Sequence, residues 1–269
     1  MHLGTYGCHA KELLHYLKSI KPKTVILNGD FIDVWQFSKR YWPKSHMKIV
    51  KHLMNWLSKR VKIYYITGNH DEMLRKFTGF KMGGFQIVNK LVLRLPDNTT
   101  AWFFHGDVFD VTMQHSKWLA KLGAVGYDTL IIINRVVNFV SEKIFNRGKI
   151  SLSKKIKNSV KSAIKFIHNF EQTAADIAIT NQYQFVICGH IHQPEIKEIK
   201  NTQGSTMYLN SGDWIENLTS LEYTESKWSI YKFNEAEKAD MKLNNDEDEL
   251  TNNQLYDELL GEFNLMKLQ

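Results

Sequence analysis

Residues 25–35 read V-I-L-N-G-D-F-I-D-V-W. Apolar residues run up to Asn28 and Gly29, where the backbone is free to turn sharply, and two carboxylates follow three positions apart at Asp30 and Asp33. The pattern is that of a buried strand delivering acid groups to a sheet edge. Carboxylates there need a partner for their charge, and either an arginine or a metal ion would serve. The positions of the histidines bear on which.

Upstream of this stretch, Leu13, Leu14, Leu17 and Ile20 recur at helical spacing from Cys8 or His9, and Pro22 closes the helix. Downstream, Met47, Val50, Leu53, Met54 and Leu57 mark a helix over 46–57, and a strand over 62–67 ends at Gly68, Asn69, His70 and Asp71. Two strands that each end in glycine and a polar cluster, with a helix between them, predict an α/β layer architecture with its site at the carboxyl ends of strands. Residues 86–95 and 100–104 read as a strand pair joined at Pro96, Asp97 and Asn98, and the second runs into His105, Gly106 and Asp107. The strand over 185–188 ends at Gly189, His190, Ile191 and His192, and the strand over 206–209 ends at Asn210, Ser211, Gly212 and Asp213. A last strand is expected over 228–233.

Composition narrows the class. The chain has 269 residues and a net charge of +7, but residues 235–269 hold ten acids against three lysines, so the body carries +14 and the tail −7. A basic body suggests anionic partners such as phosphate esters, nucleic acid or an anionic lipid surface, though solvated lysines also serve solubility alone. No run of eighteen apolar residues occurs, nothing at the start reads as a secretion signal, and Cys8 and Cys188 do not pair by spacing. A cytoplasmic setting is expected. Nucleic acid is not expected, because no strand face alternates aromatic with basic residues.

The polar residues just beyond strands form one set: Asp30 and Asp33, Asn69, His70 and Asp71, His105, then His190 and His192. Singly, each has an ordinary structural explanation. Four such endings together point to a site. Imidazole nitrogens with carboxylate or amide oxygens and no thiolate suit Mn, Fe, Zn or Co. A carboxylate has two oxygens, so one aspartate can bridge two ions roughly 3.5–4 Å apart. His190 and His192, two apart in an extended segment, lie on the same side and reach different ions if the chain turns there.

GDFID at Gly29 to Asp33, GNHD at Gly68 to Asp71, HGD at His105 to Asp107 and GHIH at Gly189 to His192 resemble the ordered motifs of the calcineurin-like metallophosphoesterases, over nearly all of residues 2–233. The resemblance implies a four-layer α/β sandwich of two mixed sheets flanked by helices, and a centre of two divalent ions. It implies that Asp30 bridges them, that Asn69, His105 and His190 complete one site, and that His2 and His192 belong to the other. His70 then resembles the family's general acid, with Asp71 orienting it and Asp33 in support. The family's DxH motif finds its histidine at His2, with the aspartate one residue before Met1, so a truncated first strand and a late or shortened start are expected.

Within that family, HLGTYGCHA, GDFIDVW, HGDVFD, a helical insertion with GYD and Asn134-Arg135, and GDWIENLTS at Gly212 to Ser220 are similar to the UDP-2,3-diacylglucosamine diphosphatase group of lipid A synthesis. This implies hydrolysis of the pyrophosphate of a nucleotide-linked glycolipid, commonly with Mn²⁺, at the inner membrane. The domain expectation is a phosphoesterase body over 1–234, a helical cap at about 116–181, and an acidic, disordered tail over 235–269. The cap's apolar face at 130–140 either packs on the body or accepts acyl chains. Arg135, Lys154, Lys157 and Lys161 are the candidates to meet phosphates or an anionic membrane. Two other readings stay open: a metallophosphoesterase acting on another phosphodiester or nucleotide, and a phosphate-binding scaffold with an incomplete metal site.

Overall fold

The computed structural model describes residues 1–35, 42–109, 152–234 and 236–239, with backbone alone over 152–163. They fall in two compact units, one of Met1–Asp107 with the residues from Ala175 onward, the other Val108–Ala174. Most of the expected cap, including Arg135 and the apolar run 130–140, lies outside the described residues, as does nearly all of the tail. Lys154, Lys157 and Lys161 fall in helix α3 (Leu152–Thr180), in the part whose side chains are not described.

The first sheet has the order β1-β2-β4-β3. Strands β1 (Thr24–Asn28), β2 (Lys62–Ile66) and β4 (Phe85–Val88) are parallel, and β3 (Lys81–Met82) closes the edge antiparallel. The second sheet runs β5-β6-β7-β9-β8. Its centre is the parallel set β6 (Thr100–Phe104), β7 (Phe185–Cys188) and β9 (Gly204–Asn210), with β5 (Lys90–Arg94) and β8 (Glu195–Asn201) antiparallel at the edges. A separate hairpin pairs β10 (Thr219–Thr224) with β11 (Lys227–Lys232). Mixed sheets flanked by helices make this the expected α/β fold.

Alternation along β2 shows how the layers form. Ile63 and Tyr65 point to one side and pack with Leu13 and Leu17 of α1 (Ala10–Ser19) and Ile49, Leu53, Trp56 and Leu57 of α2 (Lys44–Ser58). Ile66 points to the other side and packs with Val88 and with Ala101, Phe103, Ile187 and Leu209 of the second sheet. Helices therefore cover one face of the first sheet, and the second sheet covers the other.

Two sequence readings need correction. Residues 86–95 are two strands, because the chain bends at exposed Asn89, whose Oδ1 accepts from the Thr67 and Thr78 hydroxyls; Phe85–Val88 joins the first sheet and Lys90–Arg94 the second. Strands β8 and β10 were not anticipated, since their half-exposed sequences alternate weakly. Before α1 the described residues hold a single parallel bridge, Leu3 to Ile32, rather than a strand. There, His2 N donates to Asp30 O at 2.7 Å and Leu3 N to Phe31 O at 2.8 Å, so the segment lies along residues 30–33.

Candidate metal centre

The carboxyl ends of β1, β2, β6, β7 and β9 converge. Asp30 leaves β1, Asn69 and His70 follow β2, His105 follows β6, His190 and His192 follow β7, and Asp213 follows β9. Two glycines make the approach possible. A Cβ on Gly29, at φ +79°, would overlap the His105 ring, and one on Gly68 would overlap the Asp30 carboxylate and His105 Nε2. Four of the gathered residues sit in the left-handed region, His2 at φ 59°, Asp30 at 50°, His190 at 61° and His192 at 58°. That conformation costs on the order of 1–3 kcal/mol per non-glycine residue and concentrates at functional sites.

Asp30 is the hinge of the geometry. Its Oδ1 accepts the His70 backbone N–H at 2.9 Å, which leaves Oδ2 for the site. Oδ2 lies 3.1 Å from His105 Nε2 on one side and 3.8 Å from His2 Nε2 on the other. Of the two oxygens, Oδ2 thus faces both groups, and Oδ1 is held by the His70 amide. His105 Nε2 also stands 3.2 Å from Asn69 Oδ1, and His2 Nε2 stands 3.3 Å from His192 Nε2. Asp30, His105 and His190 form one cluster of donor atoms within 4.8 Å of one another, and His2, Asp30 and His192 form a second. A first-row divalent ion with bonds of roughly 2.0–2.2 Å spaces its neighbouring donors about 3.0–3.5 Å apart. Opposed imidazole nitrogens at 3.3 Å and a buried carboxylate oxygen turned to two donor groups therefore fit two such ions.

The tautomers agree with ligation. His105 Nδ1 donates to the Asn28 carbonyl at 3.0 Å, and His192 Nδ1 lies 2.9 Å from Asp213 Oδ2. His2 Nδ1 lies 3.5 Å from Asp33 Oδ2. In each ring an oxygen lies beside Nδ1, which leaves Nε2 facing inward as the ligating nitrogen. Burial holds His2 down to about 4, against the pull of Asp33, so it is neutral and ready to ligate. At His105 burial also opposes charge, but the Asp30 carboxylate outweighs it and lifts the imidazole to about 9; Asp30 is held well below the carboxylate range in return, despite its burial. Without an ion the pair is a proton-filled His105–Asp30 contact, and an ion binds there by displacing that proton.

His70 and Asp71 separate in role. His70 Nδ1 bonds to Asp33 Oδ2 at 2.8 Å, and its ring is more solvent-accessible than that of His2. Burial disfavours its charge, but the Asp33 hydrogen bond and the Asp30 and Asp33 charges keep it above the usual histidine range. Asp71 does not orient it. Asp71 is fully buried and accepts from Gly68 N at 2.6 Å, Tyr65 Oη at 2.6 Å and Phe31 N at 3.0 Å, which ties the end of β1 to the end of β2. The family resemblance implied that Asp71 orients His70, whereas the chain turn after Asn69 points the two side chains apart.

Two residues here were missed by sequence reasoning. Asp213, buried to 4% exposure, sits behind His192, and its Oδ1 accepts from Glu216 N and Asn217 N. Its signal was available, since it closes a fifth strand ending of the same kind. Trp35, 63% exposed, lays its indole beside His70 with ring centroids 4.3 Å apart. Periodicity gives no sign of that contact.

Comparison with known proteins adds to this geometry. The profile described as calcineurin-like phosphoesterase matches residues 6–194. The chain is 26% identical over 200 residues to the UDP-2,3-diacylglucosamine hydrolase of Blochmanniella floridana, covering 74% of this chain and 79% of that protein. It is 25% identical over 237 residues to the protein of the same name from Blochmanniella pennsylvanica (strain BPEN), covering 86% and 92%. Among solved structures, a single mutant of Vps29 from Entamoeba histolytica aligns at 15% identity over 82% of this chain and 88% of its own, with a TM-score of 0.31.

Proposed function

Because the chain belongs to the calcineurin-like phosphoesterase family and is a phosphoester-hydrolysing enzyme, we propose that it hydrolyses the pyrophosphate bond of UDP-2,3-diacylglucosamine to UMP and 2,3-diacylglucosamine 1-phosphate, a step of lipid A synthesis. The observation that carries the chemistry is Asp30 Oδ2 turned to two donor groups at once. The substrate rests on the relatives that bear its name. Mn²⁺ is the proposed ion, and the cytoplasmic face of the inner membrane the proposed place of work, in keeping with a body of charge +14.

Divalent ions, when bound, set positive charge against the phosphoryl oxygens. Asp30, His105, His190 and Asn69 would hold one, and Asp30, His2 and His192 the other. Asn69 contributes a neutral oxygen where an aspartate would cancel part of the charge wanted by the transition state. His70, aimed by Asp33, gives its Nε2 proton to the leaving oxygen as negative charge develops there. Trp35 covers one face of that ring and limits its rotation.

The purified chain with Mn²⁺ should release UMP from UDP-2,3-diacylglucosamine with a kcat/KM about 100-fold or more above that for a nitrophenyl phosphodiester, a margin within what differential binding of a lipid supplies. Cleavage of the nitrophenyl ester without release of UMP would instead assign the chain to another phosphodiester substrate.

A further inference from the structure

Beyond the Asn69–His70 pair, the 3₁₀ turn Glu72–Phe77 leads into a segment that none of the chemistry above uses. Residues 76–81, K-F-T-G-F-K, are exposed without exception. Phe80 N donates to Phe77 O at 2.9 Å, Thr78 has φ −56° and ψ 130°, and Gly79 has φ +93°. These are the dihedrals of a type II β-turn, with glycine where a positive φ is required. Phe77 and Phe80 occupy its two corners, so their Cα atoms lie within about 7 Å of each other.

The turn is held in place. Gly79 N donates to Ile87 O at 2.9 Å and Ile87 N to Phe80 O at 3.1 Å, which fastens it to β4, and the Thr78 hydroxyl bonds to Asn89 at 3.0 Å. Its tip is open, since a Cβ on Gly79 would meet nothing within 4 Å. An ordered backbone therefore keeps two phenyl rings in solvent, Phe77 at 55% exposure and Phe80 at 47%. Met73, one turn earlier, is also more than half exposed. Adjacent exposed apolar groups on fixed backbone mark an interaction surface.

Lys76 and Lys81 flank the rings, and the segment between them has no acid. Arg75, just before, is already paired with Asp107. Apolar rings at a tip with ammonium groups at its base match the boundary between acyl chains and anionic headgroups, and match poorly an apolar protein groove, which would bury both lysines. We propose that residues 76–81 are a bilayer anchor whose phenyl rings enter the headgroup boundary of an anionic membrane while Lys76 and Lys81 meet its phosphates. The anchor deepens the reading above, on which a lipid-linked substrate is drawn from a membrane, and it places the Asn69–His70 side of the centre next to that surface.

The test is co-sedimentation of the full chain with phosphatidylcholine vesicles, with and without phosphatidylglycerol. The wild type should bind the phosphatidylglycerol vesicles, Phe77→Ser/Phe80→Ser should bind them at least about tenfold more weakly by loss of apolar burial, and Phe77→Trp/Phe80→Trp should bind as well as the wild type. Lys76→Glu/Lys81→Glu should lose binding only where phosphatidylglycerol is present. All three variants should melt with the wild type and cleave a soluble nitrophenyl phosphodiester at its rate, since the side chains are exposed. Undiminished vesicle binding by the serine variant would overturn the anchor, as would wild-type binding indifferent to phosphatidylglycerol, or a serine variant that binds vesicles but loses self-association. The vesicles carry no substrate, so a failure of the substrate assignment leaves this result standing.

Discussion

Asp33 reaches His70 rather than the metal site's centre, with Asp33 Oδ2 2.8 Å from His70 Nδ1. The same oxygen lies 3.5 Å from His2 Nδ1, so one carboxylate orients the proton donor and a metal ligand together. His70→Ala should lower kcat by about 10²–10⁴-fold, the usual range for a general acid, with metal content unchanged. Asp33→Asn should lower kcat and also weaken the ion held by His2. Kinetics and elemental analysis on the same preparations separate the two.

Asp71 behaves differently because its load is structural. Asp71→Asn keeps one acceptor oxygen and loses the charge that binds Tyr65, Phe31 and Gly68, at a cost of about 2 kcal/mol. Urea denaturation should show this loss with the m-value preserved. A variant as stable as the wild type with reduced kcat would return Asp71 to a role at His70.

Asp213 has its Oδ2 buried beside His192 and its Oδ1 on two backbone amides. Asp213→Asn retains the amide contacts through its remaining oxygen but presents an N–H₂ group to His192 Nδ1, which favours the wrong tautomer. The ion shared by His2 and His192 should bind about 10–100-fold more weakly, the range for such supporting partners, while thermal stability of the metal-free protein stays close to wild type. Calorimetric titration with Mn²⁺ measures it.

The pH dependence of the metal-free protein follows from His105. Its folded value, about 9, is above the unfolded value near 6.5, so its contribution is complete below pH 6.5 and is lost as pH rises through 9. Asp30 is depressed, so its contribution is present above roughly pH 4 and fades as pH falls below that. His2, held down to about 4 by burial, loses its contribution as pH falls from 6.5 toward 4, so chelated protein should melt highest near pH 6.5 and lose stability toward both pH 4 and pH 9. Addition of Mn²⁺ should remove the alkaline loss, because the ion takes the place of the His105 proton.

Much of this architecture could be read in advance, for identifiable reasons. Strands β1, β2, β6 and β7 are short apolar runs stopped by glycine, and the donor residues sit directly after them, so the chemistry and the topology share one signal. Asn89 defeated the strand reading because periodicity continues across it while hydrogen bonds from two threonines bend the chain. Asp71 was misplaced because a motif match says nothing of side-chain direction after a turn. Asp213 closes a strand ending of the same kind, but only the packed structure shows that it stands behind His192, and the turn at Phe77–Phe80 carries no motif. The choice of one Asp30 oxygen over the other depends on the His70 amide, a backbone contact no sequence pattern encodes.

The central claim is that Asp30 Oδ2 is common to two ion sites. Equilibrium dialysis against Mn²⁺, followed by elemental analysis of the wild type, Asp30→Asn, His190→Ala and His192→Ala, tests it most directly. His190→Ala and His192→Ala should each lose a different one of the wild-type ions, and Asp30→Asn should lose both. An Asp30→Asn protein that keeps either ion at wild-type affinity would contradict the account.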